Sequence, residues 1–443
     1  MKKALILILS LTFIVGNTFA KYNKGEVYIP KPKKMVGNAG SNQDPTKADI
    51  YKKLDTLDTL DGKGKIKTAK QWLDDVRPQV MKFVENELYS PRLPRPRKVE
   101  FTLLERSDNA LNGTATRLQY KITSCDKNGE HSFTLLIYFP QGAKNCPVFV
   151  NANYGGNHTV IEEKEVIMPK CYLRNNGKLK TFKNKAEEHQ RGLGYSRHCI
   201  REIIERGYAI ATFCYCEVYP DKYDERLSGF DESIYRIYDK SSFKGETQAI
   251  GAWAYGNILA RECIETIPEL DATKAIVIGH SRLGKAALYA TALDKRFAAV
   301  ISNASCILGT SMNRRNFGGT LKIAINASPF WYGSALKKYE NDIEKMPIDQ
   351  QHFLACIAPR PLYVGSATDD HWCDPTGEFY SLLEASKIYK LFGAKNLPTM
   401  DNLRVETPFH GDVGYHLRRG NHDITLYDWT EYMNFIDKTL LKK

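Results

Sequence analysis

The chain has 443 residues, ten cysteines and a formal net charge of +12 at pH 7. A basic surface permits an anionic polysaccharide, a nucleic acid or a membrane as partner without selecting one of them. The lysines are dispersed through polar loops with no interleaved aromatic RNA motif, which favours a solvated basic face. No internal repeat of about 20–50 residues is visible, and this excludes solenoids and propellers.

The cysteine pattern does not indicate a disulfide scaffold. The sequence has no CxxC pair, and four cysteines lie in apolar segments: Cys146, Cys214, Cys263 and Cys356. Buried free thiols are therefore favoured, although export leaves one or two disulfides open. There is no HExxH motif, and the three histidines spaced six apart near the C-terminus lack an acidic or thiol ligand in register. We expect no metal and no cofactor.

Residues 1–20 are typical of a secretory signal peptide. Lys2 and Lys3 supply a positive start, residues 4–15 are almost wholly apolar, and Thr18-Phe19-Ala20 offers a cleavage site. The apolar run is shorter than the roughly 20 residues that a membrane span needs. We therefore expect a secreted or periplasmic protein that is a monomer, with no membrane and no nucleic acid as partner.

The remaining chain divides into an arm and one catalytic domain. Residues 21–67 are rich in Lys, Asn, Gly and Pro, which predicts an extended N-terminal arm, and residues 68–443 form the domain. Apolar residues recur at helical spacing over 68–88, which predicts one amphipathic helix. Short strands are predicted at 99–104, 117–123, 132–139 and 147–151.

After residue 200 the pattern becomes strand then helix. Strands are predicted at 208–213, 275–278, 298–302, 361–364 and 413–417, with helices at 246–266, from Arg282, and at 429–440. Apolar strands that alternate with helices indicate a parallel sheet covered on both faces. The fold class predicted is α/β, an α/β-hydrolase three-layer sandwich whose mostly parallel sheet has an antiparallel lead-in.

A candidate nucleophile stands in the segment 275–285. A buried strand, Gly279, Ser281 and then a helix are the context of a nucleophile elbow, in which the serine hydroxyl is lifted above the sheet. The GxSxG pattern is not strict, because Leu283 takes the last glycine position and Gly284 follows one residue later. The alternative is an ordinary strand-to-helix turn with a serine cap.

A serine nucleophile in this fold needs an acid and then a histidine further along the chain. His422 lies in a polar loop between the last predicted strand and the last helix, where a triad histidine belongs. Asp370 follows the strand at 361–364 and is our choice of acid, although paired aspartates in loops more often form turns.

Seven ordered blocks resemble the glucuronoyl esterases, carbohydrate esterase family 15, in their bacterial form. The block with the most specific pattern is Gly279 to Lys285, which is similar to the family's GxSRxGK signature. The resemblance runs from about Thr68 to the C-terminus. The other six blocks are 153–160, 251–256, 358–361, 374–379, 414–422 and 428–429.

The resemblance implies a role for each matching residue. Ser281 would attack the ester carbonyl, His422 would transfer the proton, and Arg282 would stabilise the oxyanion through its backbone N–H and its guanidinium. Lys285 and Trp372 are similar to family residues that contact the glucuronoyl sugar. The alternatives are a solvated helix lysine and a core aromatic residue.

The chain departs from the family pattern at two positions. Ala304 stands where many members have the triad glutamate, and other bacterial members place the acid one strand later, which here is Asp370. Gly319 stands where many bacterial members have a glutamate that is a candidate sugar ligand. The second departure bears on the substrate more than on the reaction.

The function predicted is hydrolysis of esters of 4-O-methyl-glucuronoyl units of glucuronoxylan, as in lignin–carbohydrate linkages, through a Ser-His-Asp triad. Two alternatives stay open. One is an esterase that removes acetyl groups from xylan or another polysaccharide, and the other is a non-catalytic carbohydrate-binding protein on a hydrolase scaffold.

Overall fold

The computed structural model describes residues 22–31, 41–223, 228–243 and 247–442. The signal peptide predicted over 1–20 lies outside these residues. Parts of the predicted arm pack along the domain, since Tyr22 and Tyr28 are buried and Val27 forms a β-bridge to Arg404. The arm and domain boundaries stay predictions.

The described residues form one sheet of ten strands. The strands are β1 Lys98–Ala110, β2 Ala115–Asp126, β3 Gly129–Pro140, β4 Cys146–Asn153, β5 Ala209–Cys214, β6 Leu270–His280, β7 Ala299–Asn303, β8 Leu362–Ala367, β9 Phe409–His410 and β10 Val413–Arg418. Their order is β1-β2-β3-β5-β4-β6-β7-β8-β10-β9. β1, β2, β3 and β5 pair antiparallel, the pairs from β5 to β10 are parallel, and β9 is antiparallel to β10. The predicted parallel sheet with an antiparallel lead-in is confirmed.

The helices long enough to cover the sheet lie on both of its faces. The α-helices of more than ten residues in the described chain are α1 Ala249–Ile264, α2 Arg282–Leu293, α3 Pro375–Leu391 and α4 Leu426–Ile436. Before β1, one helical stretch runs through Ala69–Gln71, Trp72–Val76, Arg77–Phe83 and Val84–Leu88, with π geometry in the second and fourth segments. None of the helices in the described residues is both long and apolar enough to cross a membrane.

Shorter helical pieces lie in the connections. The α-helical ones are Tyr195–His198, Ile200–Glu205, Tyr215–Val218, Ser228–Asp231, Leu321–Ala327 and Gln350–Ala355. The 3₁₀ turns are Pro45–Lys47, Leu111–Gly113, Asn157–Thr159, Glu188–Gln190, Ile234–Ile237, Lys240–Phe243, Asn313–Arg315, Pro329–Trp331, Ser334–Tyr339, Ile343–Lys345, His371–Cys373 and Met400–Asn402, and a π turn Asp437–Leu441 follows α4.

Side chains of the central strands alternate between two hydrophobic cores, because successive residues of a strand point to opposite faces of a sheet. On β6, Val277 belongs to the first core, and Ile276 and Ile278 belong to the second. Residues of α1, α2 and α3 complete the first core, and residues of α4 complete the second. The result is the three-layer sandwich that the sequence predicts.

The predicted amphipathic helix over 68–88 is also confirmed. Thr68 caps its start by accepting a hydrogen bond from the Gln71 backbone N–H. The residues at helical spacing, Trp72, Val76, Val80, Phe83 and Val84, are buried in the first core.

Candidate active site at the carboxyl ends of the parallel strands

Ser281 lies at the sharp turn between β6 and α2. Its φ of 56° and ψ of −127° lie outside the regions that non-glycine residues favour, at a cost of about 1–3 kcal/mol. Its backbone N–H donates to the Asn303 carbonyl over 2.8 Å, and its carbonyl accepts from the Gly284 N–H over 2.9 Å. The side chain makes no capping hydrogen bond. The predicted strand, turn and helix around Ser281 are confirmed, and the alternative of a serine cap does not describe this turn.

Two glycines allow the turn to close. A Cβ atom on Gly279 would lie 2.1 Å from the Leu283 carbonyl oxygen, and one on Gly284 would lie 2.2 Å from Ser305 Oγ. Leu283 itself is buried in the first core. The departure from GxSxG therefore has a packing reason, since the close approach falls at residue 284 and residue 283 supplies core volume.

The loop that carries His422 is fixed at both ends by Arg418, the last residue of β10. The buried Arg418 guanidinium donates to the carbonyls of Asn421 and Asp423, over 2.9 and 2.6 Å. Its Nε donates to the Asp428 carboxylate over 2.8 Å, at the start of α4. The loop between β10 and α4 is thus held from within by one side chain.

Asp370 is brought to His422 because the ends of β8 and β10 continue to pair. Backbone N–H groups of Thr368 and Asp369 donate to the carbonyls of Arg418 and Gly420, each over 2.9 Å. Asp370 Oδ2 then lies 2.6 Å from His422 Nδ1, with the aspartate side chain 2% exposed and the histidine 36% exposed. When Nδ1 donates to the carboxylate, Nε2 is left as the acceptor.

His280 stands between the two candidate catalytic elements. It precedes Ser281, and its ring centroid lies 4.5 Å from that of His422. Burial, and then the nearby His422, lower the pKa of His280 well below its ordinary value, and its Nδ1 lies 2.6 Å from Asn303 Oδ1. Neutral His280 adds no positive charge at this place.

A disulfide joins the segment after β7 to the turn after Asp370. It links Cys306 to Cys373, and the other eight cysteines form no disulfide. Ala304 packs against this bridge and Trp372 in a small cluster, so these groups fill the space around position 304. Both sulfurs lie within 4.8 Å of a ring nitrogen of His422, but they are bonded to each other and offer no thiolate to a metal.

Arg282 and Lys285 occupy the first turns of α2 in different environments. Nη1 of Arg282 donates to the Asp221 carboxylate over 2.9 Å. Lys285 is 3% exposed, and its Nζ donates to the Ser305 carbonyl. Burial, and then the charge of Arg282, lower the pKa of Lys285 to about 7, while Glu378 opposes the shift. Lys285 Nζ is therefore a buried donor, and its contact with a sugar stays a prediction.

Trp372 packs beside Gly319. The Gly319 N–H donates to the Trp372 carbonyl over 3.0 Å, and a Cβ atom at 319 would lie 3.2 Å from the Trp372 ring. A larger residue at 319 would thus press against the indole. Gly319 and Trp372 therefore belong to one local arrangement.

The sequence did not single out Asp221 or Trp331, although both touch Arg282 or its partner. Asp221 comes soon after the parallel strand β5, which is the same signal that selected Asp370. Trp331 lies in a long connection between β7 and β8, where no local pattern marks it.

Comparison with known proteins places the chain in a family. A family model described as glucuronyl esterase, fungi, matches residues 193–393. Carbohydrate esterase MZ0003 of an unknown prokaryotic organism is 36% identical over 417 residues, which cover 93% of this chain and 95% of that protein. The solved structure of a promiscuous CE15 esterase from a marine bacterial metagenome is similar, with a TM-score of 0.81 and 35% identity over 90% of this chain and 100% of that one. The chain belongs to the glucuronoyl esterases of carbohydrate esterase family 15.

A second solved structure supports membership of this family. The glucuronoyl esterase from Solibacter usitatus has a TM-score of 0.81 and 34% identity, covering 89% of this chain and 100% of that one. The chain is a carboxylic ester hydrolase with the α/β-hydrolase fold. The alternative of a non-catalytic carbohydrate-binding protein is set aside.

Changing Gly279 to alanine tests the elbow. The new Cβ would collide with the Leu283 backbone, so we expect a loss of about 1–3 kcal/mol in the free energy of unfolding, as overpacking costs. Ester hydrolysis by the folded fraction should fall too, because the turn that holds Ser281 must shift. Urea unfolding and turnover measure both. Gly177→Ala, at an exposed position with open space around it, should change neither, and an unaltered Gly279→Ala enzyme would contradict the close packing.

Changing Asp370 to asparagine tests the acid. The amide keeps the shape but no longer holds His422 Nδ1 as a donor, so we expect kcat to fall on the order of 10⁴, as when a serine-protease triad aspartate becomes asparagine. Steady-state kinetics give the result. The control is Asp423→Asn, since Asp423 follows His422 directly but pairs with Lys178 and Arg197. A loss in kcat below about tenfold for Asp370→Asn would mean that another carboxylate is the acid that pairs with His422.

Proposed function

We propose that this protein is a serine esterase that cleaves esters of 4-O-methyl-glucuronoyl units of glucuronoxylan, including lignin–carbohydrate ester bonds, through Ser281, His422 and Asp370. The observation that carries the proposal is the 2.6 Å bond between Asp370 and His422 beside the strained Ser281 turn. The names of the relatives support the substrate class, because they are glucuronoyl esterases. The predicted signal peptide supports export of the enzyme to plant polysaccharide.

Acylation begins with Ser281. Its Oγ attacks the ester carbonyl carbon while His422 Nε2 takes the hydroxyl proton, and Asp370 stabilises the imidazolium through Nδ1. The carbonyl oxygen becomes an oxyanion that the Arg282 backbone N–H and guanidinium stabilise. That N–H belongs to the first turn of α2, where backbone donors have no partner within the helix. The intermediate then expels the alcohol, which receives its proton from His422.

Deacylation repeats the same steps with water. His422 takes a proton from a water molecule, whose oxygen attacks the acyl carbon of the Ser281 ester. Collapse of the second intermediate breaks the bond to Ser281 Oγ, which regains the proton from His422. The products are a glucuronate and free enzyme, so no oxidant, metal or cofactor is consumed.

Two residues near the site are proposed to recognise the sugar. Trp372 follows Asp370 by two residues and offers a partly exposed indole face on which a sugar ring can pack. Lys285 Nζ already donates to the Ser305 carbonyl and has further protons to donate when charged. A glutamate, which many members carry at 319, is replaced here by Gly319 beside the Trp372 ring.

A substrate panel tests the proposed specificity. We expect kcat/KM for methyl 4-O-methyl-glucuronate and for benzyl glucuronate esters to exceed that for acetylated xylan by at least about tenfold, because a pocket contact with the uronoyl ring adds binding energy that an acetyl group lacks. Release of acid is measured for all three under one condition. Equal or higher turnover of acetylated xylan would favour the alternative of a polysaccharide deacetylase.

Changing Ser281 to alanine tests the nucleophile. Removal of one hydroxyl leaves little cavity, so the melting temperature should stay close to that of the unchanged protein while ester hydrolysis is lost. A fluorophosphonate probe should label the unchanged protein and not the variant. Ser242→Ala, at an exposed position away from the strand ends, should keep full labelling and turnover. Undiminished hydrolysis by Ser281→Ala would contradict the assignment of Ser281 as the nucleophile.

Changing Arg282 to alanine tests the oxyanion donor. Loss of one such donor costs about 10²–10³ in turnover, so kcat should fall by that factor while KM changes far less. The two constants are separated by initial rates over a wide range of substrate concentration. A change in KM alone would mean that Arg282 binds the substrate without stabilising the transition state.

A further inference from the structure

Asp221 is a buried carboxylate on which four donors converge. Its Oδ2 accepts from Arg282 Nη1 over 2.9 Å and from the Tyr215 hydroxyl over 2.8 Å, with Arg174 Nη1 at 3.3 Å. Its Oδ1 accepts from Trp331 Nε1 over 2.8 Å. The side chain is 0% exposed. These donors come from four separate segments of the chain, so the carboxylate fixes their relative positions.

The Arg282 guanidinium is also held by two aromatic rings. Its central carbon lies 4.6 Å from the centroid of Trp331 and 5.2 Å from that of Tyr154, both within the range of a cation–π contact. Burial opposes the charge, but Asp221, Tyr154 and Tyr215 hold the pKa of Arg282 above its ordinary value. The guanidinium is therefore a fixed positive charge with one edge against Asp221.

One donor of Arg282 is left unused within the described residues. Its Nε is buried and has no hydrogen-bond partner in the described residues. A planar guanidinium presents its five donors in a rigid fork, so fixing one nitrogen fixes the direction of the others. An unpaired buried donor costs free energy, and an oxyanion that forms next to Ser281 would satisfy it.

We propose that Asp221 is a positioning residue that holds the Arg282 guanidinium in the direction needed to stabilise the oxyanion. This inference rests on the proposed function, in which Arg282 is the oxyanion donor. The alternative role of Asp221 is structural, since its bond to Trp331 also ties down the connection between β7 and β8. The two roles predict different coupling between Asp221 and Arg282.

A double-mutant cycle separates these roles. Asp221→Asn keeps the size of the side chain, but its amide nitrogen must face at least one of the converging donors. We expect kcat to fall at least about tenfold with KM changed less than about threefold. In the Arg282→Ala background the same change should cost less than about twofold, because nothing is left to position. An equal loss in both backgrounds would overturn the proposal in favour of a structural role.

Chemical rescue is a second test. Recovery of kcat by added guanidinium depends on the place that Asp221 offers to the ion, and a purely structural role of Asp221 would not produce it. Guanidinium chloride at low millimolar concentration should restore part of the kcat of Arg282→Ala, because the ion can occupy the vacated place against Asp221. The Arg282→Ala, Asp221→Asn double variant should show no such recovery. Equal recovery in both proteins would contradict positioning by Asp221. Tyr215→Phe is the control, since it removes one donor to Asp221 but leaves the ion pair between Asp221 and Arg282 in place, and it should lose less than about threefold.

Arg282→Lys tests the proposal with Asp221 in place, in case Asp221→Asn does not fold. The ammonium can pair with Asp221 but has no rigid fork to reach the oxyanion as well. We expect its kcat to fall nearly as far as that of Arg282→Ala, with the melting temperature unchanged, and a kcat close to the unchanged enzyme would overturn positioning. If Arg282→Ala leaves kcat intact, the proposed oxyanion role itself fails. If only the coupling is absent, that role stands and the inference about Asp221 fails.

Discussion

The carboxylate of Asp428 is the buried charge on which the geometry of the site depends. It accepts hydrogen bonds from Arg418 and His416 of β10 and from the Asn303 side chain at the end of β7. Burial raises its pKa, but the bond from His416 and the charge of Arg418 outweigh this, so the pKa of Asp428 is below its ordinary value. A buried charge is tolerated when it is paired and hydrogen-bonded in this way. The carboxylate thus joins two strand ends to the start of α4.

The same network reaches the candidate catalytic residues from both sides. Through Arg418 it holds the carbonyls of the His422 loop, and through Asn303 it reaches His280, the neighbour of Ser281. Asn303 also accepts the Ser281 backbone N–H through its own carbonyl. In the proposed reaction His422 and Ser281 must stay aligned while charge forms and disappears. A rigid, fully bonded support reduces the reorganisation that this requires.

Much of the fold could be predicted because its strands are short apolar runs, and their order follows from the alternation with helices. The strands β4 to β8 and the helices α1, α2 and α4 all lie where the periodicity indicated. Helix α3 was not predicted, because buried Thr376, Glu378 and Ser381 interrupt its apolar face. Glu378 is buried because its carboxylate accepts hydrogen bonds from the Ser366 and Thr310 hydroxyls near the strand ends. Such bonds cannot be read from hydrophobicity.

Site residues could be predicted where a suitable residue type follows a predicted strand. Contacts that depend on how separate segments pack could not be predicted. Asp370 follows a parallel strand and meets His422, as the order of elements suggested. The sequence left one or two disulfides open without indicating Cys306–Cys373, since these cysteines lie 67 residues apart and the pairing of β7 with β8 brings them together. Ala304 could be identified in the sequence as a missing carboxylate. What replaces that carboxylate, a disulfide and an indole, depends on three-dimensional contacts.

Burial and the ion pair between Asp221 and Arg282 determine which groups near Ser281 carry a charge. Burial lowers the pKa of His280 well below its ordinary value and that of Lys285 to about 7, so neither holds a firm positive charge at neutral pH. Arg282 keeps its charge because Asp221 compensates the cost of burial. Nη1 of Arg282 donates to Asp221, and Nε of Arg282 has no hydrogen-bond partner in the described residues. Arg282 therefore holds a firm positive charge next to the elbow, and in the proposed reaction the ester oxygen becomes negative beside it.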